Sequence, residues 1–270
     1  MIRLVVDSAA QLTADLRAHL GAMVVPLTVM VDGVAYLEGR ELDLAGVTAA
    51  LERGAELGSS TPSPGQFLAT YEQAAAEGAT AVLSVHSGGT ASGTANTARL
   101  AAGMAPIPVE VIDTGSVSFP VAMSAWAAGD ALLVGASIEQ AAAAARQAIE
   151  QMGNVFVVGA LGLARRGGRL ADGVEGLPVL ALEAGQMRPV GRIEDVGAAV
   201  DAMAAYVVDQ AAGRRLRVGV GHLAARELAD GLEAALRERL ELEQLVRYDF
   251  GPSVAVHTGL GTAGCCFHPA

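Results

Sequence analysis

"AVLSVHSGGTASGTANTARLAAG", residues 81–103, is the stretch from which the fold class follows. A short apolar run ends at His86, a segment of hydroxyls and glycines follows, and "ANTARLAAG" then has helical spacing. A strand leading through a polar loop into a helix is the repeating unit of an α/β protein. In an open sheet of such units, ligands bind at the carboxyl ends of the strands.

The same unit recurs on either side. "IRLVV" at 2–6, "VVPLTVMV" at 24–31 and "VEVI" at 109–112 each read as a buried strand. Between them "SPGQFLATYEQAAAEG" opens with Pro64 near the first helical turn and stops at Gly78. Helices separating apolar strands imply a parallel sheet. Two long helical stretches fill 118–152, and the pattern then changes. "NVFVVGAL" is followed by a glycine and arginine loop, and "LPVLALEAGQMRPV" reads as a hairpin turning at "EAGQ". Helices near 193–212 and 223–240 flank a strand "LRVGVGH", and "LVRYDF" and "SVAVHTG" close the chain. We expect two α/β domains, 1–152 and 153–270, packed closely around a cleft.

Composition narrows the chemistry. The chain has 270 residues, is 52% hydrophobic but only 4% aromatic, and carries a formal charge of −11. The core is therefore built from Ala, Val, Leu and Gly, and the charge argues against nucleic acid as a partner. All 18 basic residues are arginine, which excludes a Schiff-base lysine and a Walker-type phosphate lysine. The two cysteines, Cys265 and Cys266, are adjacent and cannot staple distant segments. With "MIRLVVDS" at the start in place of an export signal, the expected location is cytoplasmic. In the most membrane-like window, "FPVAMSAWAAGDALLVGA", Asp130 would cost roughly 2.5–3.5 kcal/mol on insertion. That window reads as a buried helix, with no membrane-spanning segment.

In the opening stretch, the hydroxyls of Ser92 and Thr94, backbone N–H groups and the positive end of the helix dipole favour an anionic group. Ordinary N-capping by one hydroxyl is the competing reading. A second hydroxyl cluster, "GSSTPSPGQF" at 58–67, also precedes a helix and contains Ser59, Ser60, Thr61 and Ser63. Both clusters are expected on the same edge of a parallel sheet, where they face one ligand or serve as loop and cap residues. "ARRGGRL" at 164–170 suits a carboxylate, a phosphate or an acidic partner, or is a solvated loop.

Other chemistries fit less well. No strict G-x-S-x-G elbow is present: "GTASG" places Ser92 one position late, and "GPSVA" at 251–255 ends in alanine and leads into a strand. His86, His222 or His257 becomes a base only if the fold brings it to a serine. No two histidines share a helix at i, i+4, "CCFH" lacks the spacing of a zinc site, and "DSAAQL" follows the first strand where a dinucleotide site needs its glycines. No metal and no cofactor are expected.

Taken in order, several segments resemble the DegV family of bacterial fatty-acid-binding proteins over essentially the whole chain. "VVDSAAQL" is similar to the family's aspartate-serine strand end and "VVPLTVMVDG" to its next segment. "SSTPSPGQF" resembles the Thr-Ser-Gln-Pro-Ser-Pro motif, and "ASGTANTA" the Leu-Ser-Gly-Thr loop. "VIDTGSVS", "LARRGGRL" and "VHTGLGTAG" resemble three later segments. Departures are Ser59 for threonine, Thr61 for glutamine, Ala91 for leucine and Leu260 for proline.

The resemblance implies a two-domain DegV-like α/β fold, with an N-terminal parallel sheet flanked by helices and a smaller C-terminal domain on a mixed sheet closing the acyl-chain pocket. It implies a carrier and not an enzyme, which buries a long-chain fatty acid such as palmitate, or another C14–C18 acid, between its domains. The carboxylate is presented to a partner fatty acid kinase. The resemblance puts Ser59, Ser60, Ser92, Gly93, Thr94 and His257 at the ligand, and Arg169 and Arg192 at the partner or a phosphate. The alternative is a serine-dependent acyl hydrolase using Ser92 with His86 or His257.

Overall fold

The structure is a computed structural model that describes residues 1–159, 177–183, 186–193 and 196–270. The chain divides into two compact units: residues 1–43 with 56–150, and residues 44–55 with 151–270.

The first unit holds a four-stranded parallel sheet of β1 (Ile2–Asp7), β2 (Met23–Val25), β6 (Ala81–His86) and β7 (Val109–Asp113), in the order β2-β1-β6-β7. A separate antiparallel sheet joins β3 (Thr28–Val31), β4 (Val34–Leu37) and β5 (Leu57–Ser60), with β3 in the centre. The stretch 24–31 is thus two strands in two sheets and not one. Pro26 falls between them, and a residue without an N–H and with φ fixed cannot continue a ladder. Ser59 and Ser60 lie in β5, opposite Val29 and Thr28, and not in a loop on the edge of the parallel sheet.

The helices follow their local signals. Thr13 caps α1 (Ala14–Leu20), its hydroxyl accepting from Leu16 N at 3.2 Å, and Gly21 ends it at φ +57°. Before α3 (Pro64–Ala76), Ser63 and Gln66 form a reciprocal capping box, with Pro64 in the first turn. α4 (Thr94–Ala102) follows β6. α5 (Phe119–Leu133) is apolar on nearly every side and buried accordingly, with Phe119, Met123 and Trp126 among the largest fully buried side chains. Asp130 sits toward its end beside His19, and α6 (Ile138–Gln151) follows. Among the described residues no helix is long and apolar enough to cross a membrane.

Strand alternation decides which side chains meet. Val5 and Val82 face Phe67 and Tyr71 of α3 and Ala98 and Ala101 of α4. Period two then turns Asp7, Ser84 and His86 to the same face, beneath α3. α5 packs on β1 and β6.

The second unit is built on a six-stranded mixed sheet in the order β10-β9-β8-β13-β11-β12. Its strands are β8 (Gly153–Val157), β9 (Leu177–Glu183), β10 (Gln186–Ile193), β11 (Leu216–Leu223), β12 (Leu242–Asp249) and β13 (Thr262–Pro269). β9 and β10 form the expected hairpin, and β13 runs antiparallel to both β8 and β11. α7 (Val196–Ala211) and α8 (Arg226–Arg239) supply Met203, Val207, Leu232 and Leu236 to a core shared with Val155, Val218 and Phe267. "GPSVA" leads into a helix and not a strand: Gly251 starts α9 (Pro252–Thr258), with Pro252 in the first turn. α2 (Leu44–Glu52) packs against α9.

Candidate functional site

From the carboxyl end of β1 the chain turns through α1 to β2 on one side, and from β6 it turns through α4 to β7 on the other. The point between β1 and β6 is the topological switch point of the sheet, where an open α/β sheet leaves a crevice. The residues ending these two strands are Asp7 and His86.

Asp7 is fully buried and its carboxylate faces three donors. Oδ2 accepts from Ser87 N at 2.8 Å and lies 3.1 Å from His86 Nδ1, while Oδ1 accepts from Ser87 Oγ at 3.0 Å. A carboxylate only accepts, so the facing Nδ1 carries the proton, and in the neutral ring Nε2 is left to accept. Ser84 Oγ stands 2.5 Å from that nitrogen and 2.9 Å from Tyr71 Oη. With the ring neutral, the hydrogen bonds run one way, Tyr71 to Ser84 to His86 to Asp7. Phe67 meets the imidazole edge-on at 4.9 Å between centroids. Burial raises the Tyr71 phenol to about 12, against the opposing pull of its bond to Ser84.

The segment after His86 is clamped to "DTGS" at 113–116. Thr114 donates to His86 O from both N (3.1 Å) and Oγ1 (3.0 Å), and Gly88 N donates to Ser116 O at 3.0 Å. Asp113 Oδ1 accepts from Gly89 N at 3.0 Å and Gly115 N at 2.9 Å. The fit requires glycine twice. A Cβ on Gly88 would lie 1.7 Å from Asp113 Oδ1, and Gly89 has φ +64° with Gly115 Cα 3.0 Å from where its Cβ would be.

Beyond this clamp lie the hydroxyls singled out in the sequence. Ser92 Oγ is 2.8 Å from Thr94 Oγ1 and accepts from Thr94 N at 3.3 Å. Ala95 N donates to Ser87 O at 3.1 Å, so two donors of the first turn of α4 are already taken. Ser92 therefore does some of the capping, although Gly93 is the cap residue. The second cluster approaches the first here: a Cβ on Gly93 would lie 3.8 Å from Thr61 Cγ2. Thr61 directly follows Ser59 and Ser60, of which Ser59 is half-buried and Ser60 exposed.

The remaining expected residues lie in the second unit. His257 is a half-buried residue of α9, and Arg192 is exposed on β10 opposite Pro178. Arg169 lies outside the described residues. The hydrolase pairing of Ser92 with His86 is not formed, because the ring nitrogens of His86 face Ser84 and Asp7 while Ser92 bonds Thr94.

The reading from sequence missed two features. One is the Asp7–His86–Ser84–Tyr71 chain, which joins residues up to 79 positions apart. The other is Gln11, at φ +59°, whose Oε1 accepts from Ser118 Oγ at 2.9 Å, with Ser118 itself at φ +68°. Two non-glycine residues in this region at one sheet edge are a recognisable strain feature. Neither has a local sequence signature. Among the described residues no group of three or more His, Cys, Asp or Glu is arranged to hold a metal ion.

Comparison with known proteins gives consistent matches over the full length. The family model described as "Uncharacterised protein, DegV family" matches residues 1–270. A DegV domain-containing protein of Streptomyces coelicolor is 32% identical over 271 residues, covering 97% of this chain and 96% of that one. Among solved structures, a DegV family protein from Thermus thermophilus described for its fatty acid binding is 32% identical, with a TM-score of 0.92 over 100% of this chain and 99% of its own. DegV of Bacillus subtilis, described as a fatty acid binding protein, has a TM-score of 0.88 over 100% of this chain and 99% of its own. At 24% identity the latter comparison bears on the fold alone.

Proposed function

This chain belongs to the DegV family, and from that premise we propose that it binds a long-chain fatty acid and presents the carboxylate to a partner fatty acid kinase. The observation that carries the reading is the meeting of two hydroxyl-bearing segments, Thr61 against Gly93, beside the switch point of the parallel sheet. The likeness to the Thermus thermophilus protein supports it.

The energetics divide between tail and head. A sixteen-carbon acid buries about fourteen methylenes, which at ~0.8 kcal/mol each gives roughly 11 kcal/mol before association costs. The tail supplies affinity, and the carboxylate has to find donors or lose much of that gain. Ser59, Ser60, Ser92 and Thr94, with the backbone at Gly93, are the proposed donors, and His257 is their proposed neighbour. Arg192 and Arg169 are proposed for the kinase or a phosphate. The chain then works as a carrier, and the engagement of His86 with Ser84 and Asp7 disfavours the hydrolase.

The test is direct. Mass spectrometry of lipid gently extracted from the purified protein should find a long-chain acid, and labelled palmitate should bind the stripped protein, less tightly after Ser92→Ala. Absence of both lipid and palmitate binding overturns the reading. With a fatty acid kinase and ATP, the loaded protein should yield an acyl phosphate; failure at that step alone removes the kinase partner and leaves the binding.

A further inference from the structure

The first unit has a concave feature at the end of the parallel sheet opposite Asp7 and His86. It is an open cleft of about 540 Å³, lined by Arg3, Arg17, Arg40, Thr70, Gln73 and Glu77. Arg3 lies near the start of β1, and Gln73 and Glu77 lie where α3 ends before the chain enters β6. The cleft is therefore at the amino edge of the sheet, away from Asp7, His86 and Ser92 at the carboxyl edge. Its volume falls within the range of small-molecule sites.

Its charge is the reverse of the chain's. Three of the 18 basic residues gather here in a protein of net charge −11, against one carboxylate. That carboxylate is committed: Glu77 Oε2 accepts from Arg3 at 3.0 Å and Oε1 accepts from Gln73 Nε2 at 2.9 Å. Arg3 is also tied to Gly21 O at 3.2 Å, yet its Nε–H has no acceptor among the described residues. Arg17 is held through Nε to Ala22 O at 3.3 Å and has no carboxylate partner among the described residues, and neither has Arg40. Two guanidinium charges are thus left uncompensated beside a third that Glu77 fixes in place. Arg3 and Arg17 are held by backbone carbonyls, so ordering them for a ligand costs little further entropy.

We propose that this cleft is a second binding site, for a small molecule bearing a phosphate dianion. Two uncompensated guanidiniums match the charge of a phosphomonoester, about −1.5 to −2 at neutral pH, and a guanidinium fork matches its oxygens. The cleft exceeds what one phosphate fills, and Met23 and Val24 in its lining offer apolar contact to an organic remainder.

The experiment titrates the intact protein with inorganic phosphate, glycerol phosphate, a nucleoside monophosphate and succinate. Ionic strength is held constant so that screening does not pass for binding. The reading is saturable change, by calorimetry or by arginine side-chain NMR, in the wild type and in the double variant Arg17→Gln, Arg40→Gln. Both positions are exposed, so the variant should fold, and palmitate retention should be unchanged. Saturable binding of an organic phosphate, tighter than succinate and weakened about tenfold or more in the double variant, is expected. The proposal is overturned by no saturable binding at millimolar concentration, by equal affinity in the variant, or by preference for succinate.

Discussion

Asp7 and His86 end neighbouring parallel strands with Oδ2 and Nδ1 3.1 Å apart, both fully buried. Because Asp7 also takes both donors of Ser87, one carboxylate fixes the imidazole and the first residue of the loop that leads to Ser92. Asp7→Asn keeps the shape but turns an amide NH2 toward at least one of three donors. Unfolding in urea should show a loss of about 3 kcal/mol, and palmitate affinity should fall with it. Tyr71→Phe removes only the far end of the chain, and about 1 kcal/mol is expected. If Asp7→Asn were no more harmful than Tyr71→Phe, the carboxylate would not be the anchor of this network.

Gly88 gives a steric test of the same loop. An alanine there would place Cβ 1.7 Å from Asp113 Oδ1, and Asp113 cannot swing aside without releasing Gly89 N and Gly115 N. Gly88→Ala should cost about 2 kcal/mol or more in thermal unfolding. Gly78, at φ +87° with nothing within 4 Å of the place a methyl group would take, carries only conformational strain. Gly78→Ala should cost about 1 kcal/mol, and equal losses at the two positions would contradict the clamp.

What is legible in the sequence follows physical range. The step from β6 through hydroxyls to α4 is written in consecutive residues, and so are the capping box at Ser63 and the hairpin at 177–193. Pro26 is a local signal that the run 24–31 should break, but the apolar pattern on both sides hides it. β5 reads as a loop because "LGSS" lacks the β-branched residues that mark strands; its pairing with β3 supplies what propensity does not. Helix α9 reads as a strand from Val254 and Val256, although Pro252 after Gly251 fits a helix start. The Asp7 network joins positions 7, 71, 84, 86 and 87, which only the sheet order brings together.

Cys265 and Cys266 are adjacent on β13, the strand paired on both sides at the middle of the six-stranded sheet. Successive side chains on a strand point to opposite faces, and both residues are buried thiols that form no disulfide. Burial raises both above the ordinary thiol range, and the neighbouring Cys265 pushes Cys266 further. Labelling by an aromatic disulfide reagent at mildly alkaline pH should be slower than for free cysteine by on the order of a hundredfold, and should accelerate with denaturant as the unit opens. Rapid labelling of either thiol in the native protein would show that this sheet is not closed over β13.

Acid should weaken the second unit before its carboxylates titrate. His268 is held below the ordinary imidazole value of 6.5 by burial, with the charge of Arg217 acting the same way and the bond to Pro269 O opposing. His222 is lowered mainly by burial, with Arg247 and Arg226 acting the same way and Asp249 opposing. In each case the unfolded chain binds a proton near 6.5 that the folded chain takes up only at lower pH, so stability rises with pH across this window. The contribution is complete above the unfolded value and is lost as pH falls below it. The unfolding free energy should therefore decline between about pH 7.5 and about pH 5.5, by at most about 1.4 kcal/mol per pH unit for each proton involved, and the urea midpoint should fall with it. His268→Gln removes one of these protons, so its midpoint should vary less steeply with pH whatever its absolute stability. A midpoint that stays level or climbs on acidification, or a variant as pH-sensitive as the wild type, would mean that His268 is not kept neutral by the fold.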